Sequence, residues 1–323
     1  MMPSAAGQRR TFWVGVACAV GVLLIWTSFI LIARVSAKGH LSPFDIAFVR
    51  FVFSGLVVLP LLLKRGGWLL EQLGPSPGVA LRRAAALTAT AGVGYCSLAY
   101  SGFFFAPVSH AAVLLPGSLP LYTAVFAALL LGERFPRARL VGLAAIVAGD
   151  LLIGSTSLLQ AFAGDHTWKG DAMFLGAAMT WALYSVLCRR WHLAAVPATC
   201  AIAIGCLATY VPLFALGAAA GLVPTQLTSA PWSEIVFQAV YQGGLSMLVA
   251  GVAFTQVVKT FGPVRTTMIT ALVPVLATVL AVPLLGESLT AMGILGLVSV
   301  TLGLLIGVRA QAGAGPAVLR PAR

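Results

Sequence analysis

The chain has 323 residues, of which 60% are hydrophobic and 9% charged. A water-soluble domain carries about 25% charged residues, so that class is excluded and bilayer lipid must solvate most of this surface. The net charge of +12 does not point to nucleic acid, because the basic residues are dispersed between apolar runs instead of gathered on one face.

A helix needs roughly 20 apolar residues to cross the hydrocarbon core, and ten stretches meet that need, which predicts an all-α integral membrane protein. The first, 12–33, follows Arg9 and Arg10 and imitates a secretion signal, with "VSA" at 35–37 as an apparent cleavage site. Its apolar run exceeds the about 7–15 residues of a signal core, so it is predicted to remain as the first span, with Trp26 deep inside. The second, 43–63, contains Arg50. An ionisable residue within a span is a functional hypothesis, and two roles stand: facing a cavity to attract a carboxylate, or snorkelling outward and pairing with Asp45. The third, 84–104, carries Tyr100.

The fourth span, 109–131, carries Pro120 and ends on Gly132-Glu133. Proline removes a backbone hydrogen bond and bends a helix, so Pro120 is expected to kink this one, either as a structural bend or as part of a gate. Glu133 suits capping or pairing with a neighbouring arginine; ion coupling is its other reading. The fifth, 138–155, holds Asp150 about a turn from its predicted outer end, as an interfacial polar residue or a proton carrier. The sixth, 170–188, carries Trp181 and Tyr184, and the seventh is 197–219. In the eighth, 235–257, Gln238 and Gln242 share a face at i, i+4 spacing, with Tyr241 beside them and Gln256 further along. Neutral amides in lipid need partners, which either substrate or interhelical hydrogen bonds supply. The basic turn "KTFGPVRT" leads to the ninth, 264–285, where Pro274 and Gly286-Glu287 repeat the phrase of the fourth. The tenth is 290–308, and the longest links are 64–83 and 156–169.

Numbering the compartments alternately from the N-terminus puts 16 Lys and Arg in the odd set, including Arg134, Arg137, Arg189, Arg320 and Arg323, against Arg34, Lys38 and Lys169 in the even set. The positive-inside rule then makes both termini cytoplasmic. Trp13, Trp68, Trp168, Trp191 and Trp232 fall at span ends, as aromatic belts require.

The chain repeats itself. Shifted by 154, Pro120 meets Pro274, Gly132-Glu133 meets Gly286-Glu287, Gly142 meets Gly296 and Gly149 meets Gly303; shifted by 155, Trp26 meets Trp181 and Arg34 meets Arg189. Two five-helix copies, 12–155 and 170–308, must have inverted topology because five is odd. Secondary transporters use such halves to hold a midplane substrate site and to alternate access. Trp26 and Trp181, deep and mirrored, either line a cavity or pack the repeat interface.

"LIWTSF", "SLPLYTAVFAALLLGER", "TWALYSVLCRR" and "LVPVLATVLAVPLLGE" together resemble the drug/metabolite transporter superfamily, and within it EamA-type exporters. The resemblance implies a ten-helix basket in the inner membrane, with helices one to four and six to nine around a central cavity and five and ten outside. It also implies export of small metabolites such as amino acids or related compounds. Importers and sugar-nucleotide carriers of the same fold are the alternative.

Substrate contacts are expected from Trp26, Arg50, Tyr100, Trp181, Tyr184, Gln238, Tyr241, Gln242 and Gln256, with Pro120 and Pro274 at kinks. No phosphate-binding loop, metal-spaced His cluster or nucleophile–base set occurs, and the five cysteines lie scattered in apolar runs. No cofactor or metal is therefore expected. A membrane-embedded enzyme would need acidic or His residues clustered at the surface, whereas the eight acidic residues here are scattered. Transport is expected to draw on a gradient of substrate, protons or a counter-substrate.

Overall fold

The computed structural model describes residues 5–65, 67–133, 137–161 and 164–313. Arg134, Arg320 and Arg323, counted above for orientation, lie outside them. The elements in order are α1 (Ala5–Ser36), α2 (Pro43–Arg65), α3 (Trp68–Leu73), α4 (Pro77–Leu87), a π-helical segment Thr88–Gly94, α5 (Tyr95–Phe105), α6 (Val108–Gly117), α7 (Leu119–Leu131) and α8 (Arg137–Ala161). Then follow α9 (Thr167–Arg190), α10 (Ala195–Ala208), α11 (Tyr210–Ala219), α12 (Trp232–Gln238), a second π-helical segment Ala239–Val249, α13 (Ala250–Thr270), α14 (Leu272–Leu285) and α15 (Ala291–Gly313). The described residues contain no strand. In lipid every backbone polar group must be satisfied internally, and helices do this within one segment.

Among the described residues eight helical stretches are long and apolar enough to cross a membrane: Thr11–Ser36, Pro43–Arg65, Val108–Leu131, Arg139–Leu159, Thr167–Arg190, Ala195–Ala219, Trp232–Gly262 and Met268–Leu285. Their outward sides are apolar, with Leu63, Leu129, Leu159 and Leu216 all exposed. Two expected links are largely helical. Residues 64–83 contain α3 and the start of α4, and α8 continues past 155 to Ala161. An apolar run marks only the hydrocarbon-embedded part of a helix; the backbone ladder continues beyond it.

Helix ends follow local chemistry. Ser42 and Asp45 form a capping box at the start of α2: Ser42 N–H donates to Asp45 Oδ2 (2.9 Å) and Asp45 N–H to Ser42 Oγ (3.1 Å). Asp45 also accepts from Thr225 Oγ1 (2.6 Å) and Gln226 N (3.0 Å), tying the segment after α11 to α2. Gly132 and Gly286 end α7 and α14 in the left-handed conformation, at φ 68° and 66°. Each C-cap is hydrogen-bonded back into the helix, and each puts its following glutamate at the same place relative to the helix end.

Packing is reciprocal. α1 packs on α13 and α14, while α9 packs on α5 and α7; α2 lies on the second π segment, and α10 on the first. α8 pairs with α15, where glycine allows backbones to touch. A β-carbon at Gly142 would stand 2.7 Å from the Gly303 carbonyl oxygen, and one at Gly149 equally close, 2.7 Å, to that of Gly296. The repeat mates thus cross antiparallel.

Candidate functional site

The segment from Gln238 through the second π turn is a polar hub joining α1, α2 and α5. Burial aims its residues inward: Gln238 is 2% exposed, Tyr241 8% and Gln242 0%. Gln238 Nε2 donates to Ser36 Oγ of α1 (2.6 Å). Tyr241 Oη donates to the Ile25 carbonyl (3.0 Å) and lies 2.5 Å from Ser28 Oγ, both on α1. Gln242 faces the other way. Arg50 Nη1 of α2 donates to Tyr100 Oη of α5 (3.0 Å), and that hydroxyl donates to Gln242 Oε1 (3.0 Å). Arg50 and Tyr100 are buried. Arg50 Nε, Gln242 Nε2 and Gln238 Oε1 are buried without a hydrogen-bond partner. Gly243 makes this contact possible, since a β-carbon there would stand 2.7 Å from the Arg50 carbonyl oxygen.

Of the expected site residues, the structure brings Arg50, Tyr100 and Gln242 into one chain, with Gln238 and Tyr241 on the same segment. Arg50 does not pair with Asp45, which is committed to the cap and the 225–226 backbone. The remaining residues lie elsewhere. Trp26 stacks on Phe254 of α13 with centroids 5.2 Å apart. Trp181 sits between Tyr95 and Tyr184, at 4.8 and 5.2 Å. Each tryptophan thus fills a contact between the first helix of one half and the third of the other. Gln256 Nε2 reaches Thr260 Oγ1 on its own helix (3.4 Å). Pro120 lies in the first turn of α7, directly after a break at Ser118, and Pro274 in the first turn of α14, after a break at Ala271.

Among the described residues two arginine–glutamate ion pairs link the halves. Arg34, in the last turn of α1, meets Glu287 beyond α14 (Nε–Oε1 3.4 Å). Arg189, in the last turn of α9, meets Glu133 beyond α7. Arg34 also donates to the Phe103 carbonyl (2.6 Å), and Glu287 accepts from Val108 N–H at the start of α6 (2.9 and 3.1 Å). A carboxylate is favourable there, because the helix leaves its first N–H groups unpaired and its dipole is positive at that end. The two pairs differ in exposure: side chains are 20% and 12% exposed in Arg34–Glu287, but 50% and 24% in Arg189–Glu133.

Three further contacts were not expected. Asp150 accepts from Ser118 Oγ (2.6 Å) at the break between α6 and α7, three turns from the end of α8 and not one. His110 Nδ1 lies 2.8 Å from Asp171 Oδ1, with Ser157 Oγ at 3.4 Å. Both are contacts between helices, which one helix's sequence does not display. His40 meets Glu234 (3.0 Å) at the exposed start of α12. The two arginines of the ion pairs had a legible signal, since the repeat that aligned the glutamates at a shift of 154 aligned Arg34 with Arg189 at a shift of 155.

Among the described residues, one cleft of about 360 Å³ opens beside Phe44, Tyr210 and Pro224, and another of about 190 Å³ beside Val57, Cys200 and Leu248. Neither is lined by a hub residue. Among the described residues no group of three or more His, Cys, Asp or Glu side chains is placed to hold a metal ion.

Comparison with known proteins gives a consistent picture. The model of the EamA-like transporter family matches twice, over residues 13–155 and 168–309. The uncharacterized transporter YyaM of Bacillus subtilis (strain 168) is 26% identical over 282 residues, covering 83% of this chain and 85% of its own. An uncharacterized transporter of Clostridium kluyveri is 23% identical over 275 residues, covering 83% and 84%. One solved crystal structure superposes with a TM-score of 0.55 at 22% identity, over 95% of this chain and 99% of that one, a likeness of fold alone.

Proposed function

The chain belongs to the EamA-like transporter family, and from that premise we propose that this multi-pass membrane protein is a secondary exporter of small metabolites, amino acids or related compounds, working by alternating access. In this reading it spans the inner membrane ten times. The rod from α4 through α5 and the helix α15 join the eight longer stretches. Residues 12–155 and 170–308 form two inverted five-helix repeats, and both termini are cytoplasmic. The hub formed by Arg50, Tyr100, Gln238, Tyr241 and Gln242 is the substrate site between the repeats, Pro120 and Pro274 serve the gates, and a proton or counter-substrate gradient drives the cycle. The protein moves its substrate without transforming it.

The observation that carries this reading is the crossed pairing of Arg34 with Glu287 and Arg189 with Glu133. Each pair joins the first helix of one repeat to the fourth of the other. Inverted topology puts one pair at each face of the membrane. A device of this kind has two closed contacts and two exits, and opening either exit requires parting only one pair. In this reading the outer pair, Arg34–Glu287, is the more buried and carries extra hydrogen bonds, so of the two contacts the outer is the more firmly closed.

Reconstitution tests the proposal. Vesicles loaded with a bacterial small-metabolite extract, with and without the protein, are followed by mass spectrometry of the released material under pH and substrate gradients. Saturable release of a restricted set of metabolites, with counterflow, is expected. Release of none under any gradient contradicts it.

A further inference from the structure

We propose that the hub is an anion-binding site in which Arg50 and Gln242 hold a carboxylate of the transported molecule. This names a substrate class and rests on the transport reading above. Arg50 is 6% exposed, and its hydrogen-bond partner, Tyr100, is neutral. Since the Tyr100 hydroxyl accepts from Arg50, its own proton goes to Gln242 Oε1, which commits the Gln242 amide to presenting Nε2 on its free side. Arg50 Nε and Gln242 Nε2 are then both buried without an acceptor. Along the Arg50–Tyr100–Gln242 chain both unused groups are N–H, Gln238 Oε1 being the unpaired acceptor on the α1 side of the hub, and the chain carries a fixed positive charge, because a guanidinium does not lose its proton in proteins.

Several other charged groups set the contrast, Asp150 with only the Ser118 hydroxyl being an exception. Arg34 and Arg189 meet glutamates, Asp171 meets His110, and Asp45 meets three protein donors. Burying a charge without a counter-charge costs several kcal/mol. A carboxylate supplies both the missing charge and the missing lone pairs, and its two oxygens suit the forked guanidinium. The surroundings are built to hold this arrangement. Gln242 lies in a π-helical segment, an irregularity that recurs at functional sites, and Gly243 lets the backbone of α2 approach that segment at Arg50 itself.

The test uses the purified full-length protein in detergent and its thermal unfolding. Gln242→Glu places a carboxylate across the Tyr100 hydroxyl from the guanidinium, while Gln242→Met removes the amide at similar size. With no ligand added, Gln242→Glu is expected to unfold several degrees above Gln242→Met. Acetate, benzoate and L-leucine are each compared with their amides on the wild type at equal ionic strength. An acid that raises Tm where its amide does not, with the shift lost in Gln242→Glu, supports the site. A Gln242→Glu variant less stable than Gln242→Met overturns it, as do amides that stabilise as well as acids. The reconstitution assay separates the two claims. Flux confined to molecules without an anionic group overturns the anion site and leaves transport standing, whereas absence of all flux counts against transport and leaves the Gln242 variants to judge the site.

Discussion

At the residue scale, the centre of the molecule is one guanidinium whose position was legible and whose company was not. Arg50 stands out in an apolar run because charge in a span is rare. Its pairing with Asp45 was a sequence-local idea, and the capping box at Ser42 removes Asp45 from contention. Tyr100 is 50 residues from Arg50 in sequence, and Gln242 a further 142 from Tyr100, so no periodicity reveals them. Tyr100→Phe deletes the hydroxyl that both accepts from Arg50 and donates to Gln242. Hydrogen bonds to charged groups contribute about 1.5–3 kcal/mol, so this variant is expected to lose stability of that order and to unfold at a lower temperature. Tyr184→Phe, outside the chain of contacts, is expected to change Tm less; equal losses would show that Tyr100 acts by packing alone.

At the scale of elements, the spans were legible because hydrocarbon demands continuous apolar helix, and their ends were not, because the backbone ladder continues past the apolar run. α8 shows the consequence. Its predicted end at 155 put Asp150 near an interface, whereas the helix reaches Ala161 and Asp150 bonds Ser118 at the break between α6 and α7. The glycines were legible as repeat mates, but their work emerges only in the pairing of α8 with α15. Gly149→Ala drives a β-carbon to 2.7 Å from the Gly296 carbonyl oxygen, while one at Gly154 on the same helix meets nothing within 4 Å. Overpacking costs about 1–3 kcal/mol, so Gly149→Ala is expected to lower Tm and Gly154→Ala to leave it unchanged. Matched behaviour of the two would refute close backbone packing as the basis of this helix pair.

At the scale of the whole molecule, the account turns on two halves that hold each other through crossed charges. The repeat registers contained both arginines and both glutamates; which arginine meets which glutamate is a tertiary fact. Exposure separates the two contacts energetically: solvent screens the more exposed Arg189–Glu133 pair more strongly than the partly buried Arg34–Glu287 pair, whose loss also frees the Val108 N–H. Glu287→Gln should therefore shift the balance between the two states further than Glu133→Gln. The direct measurement is a pair of spin-label distances in the reconstituted protein, between Lys38 and Ser288 across the Arg34–Glu287 contact and between Arg137 and Arg190 across the Arg189–Glu133 contact. Glu287→Gln is expected to lengthen the first distance and keep the second short, and Glu133→Gln to do the reverse to a smaller degree. Distances that rise together in either variant, or that move in neither, would contradict alternating access through these two contacts.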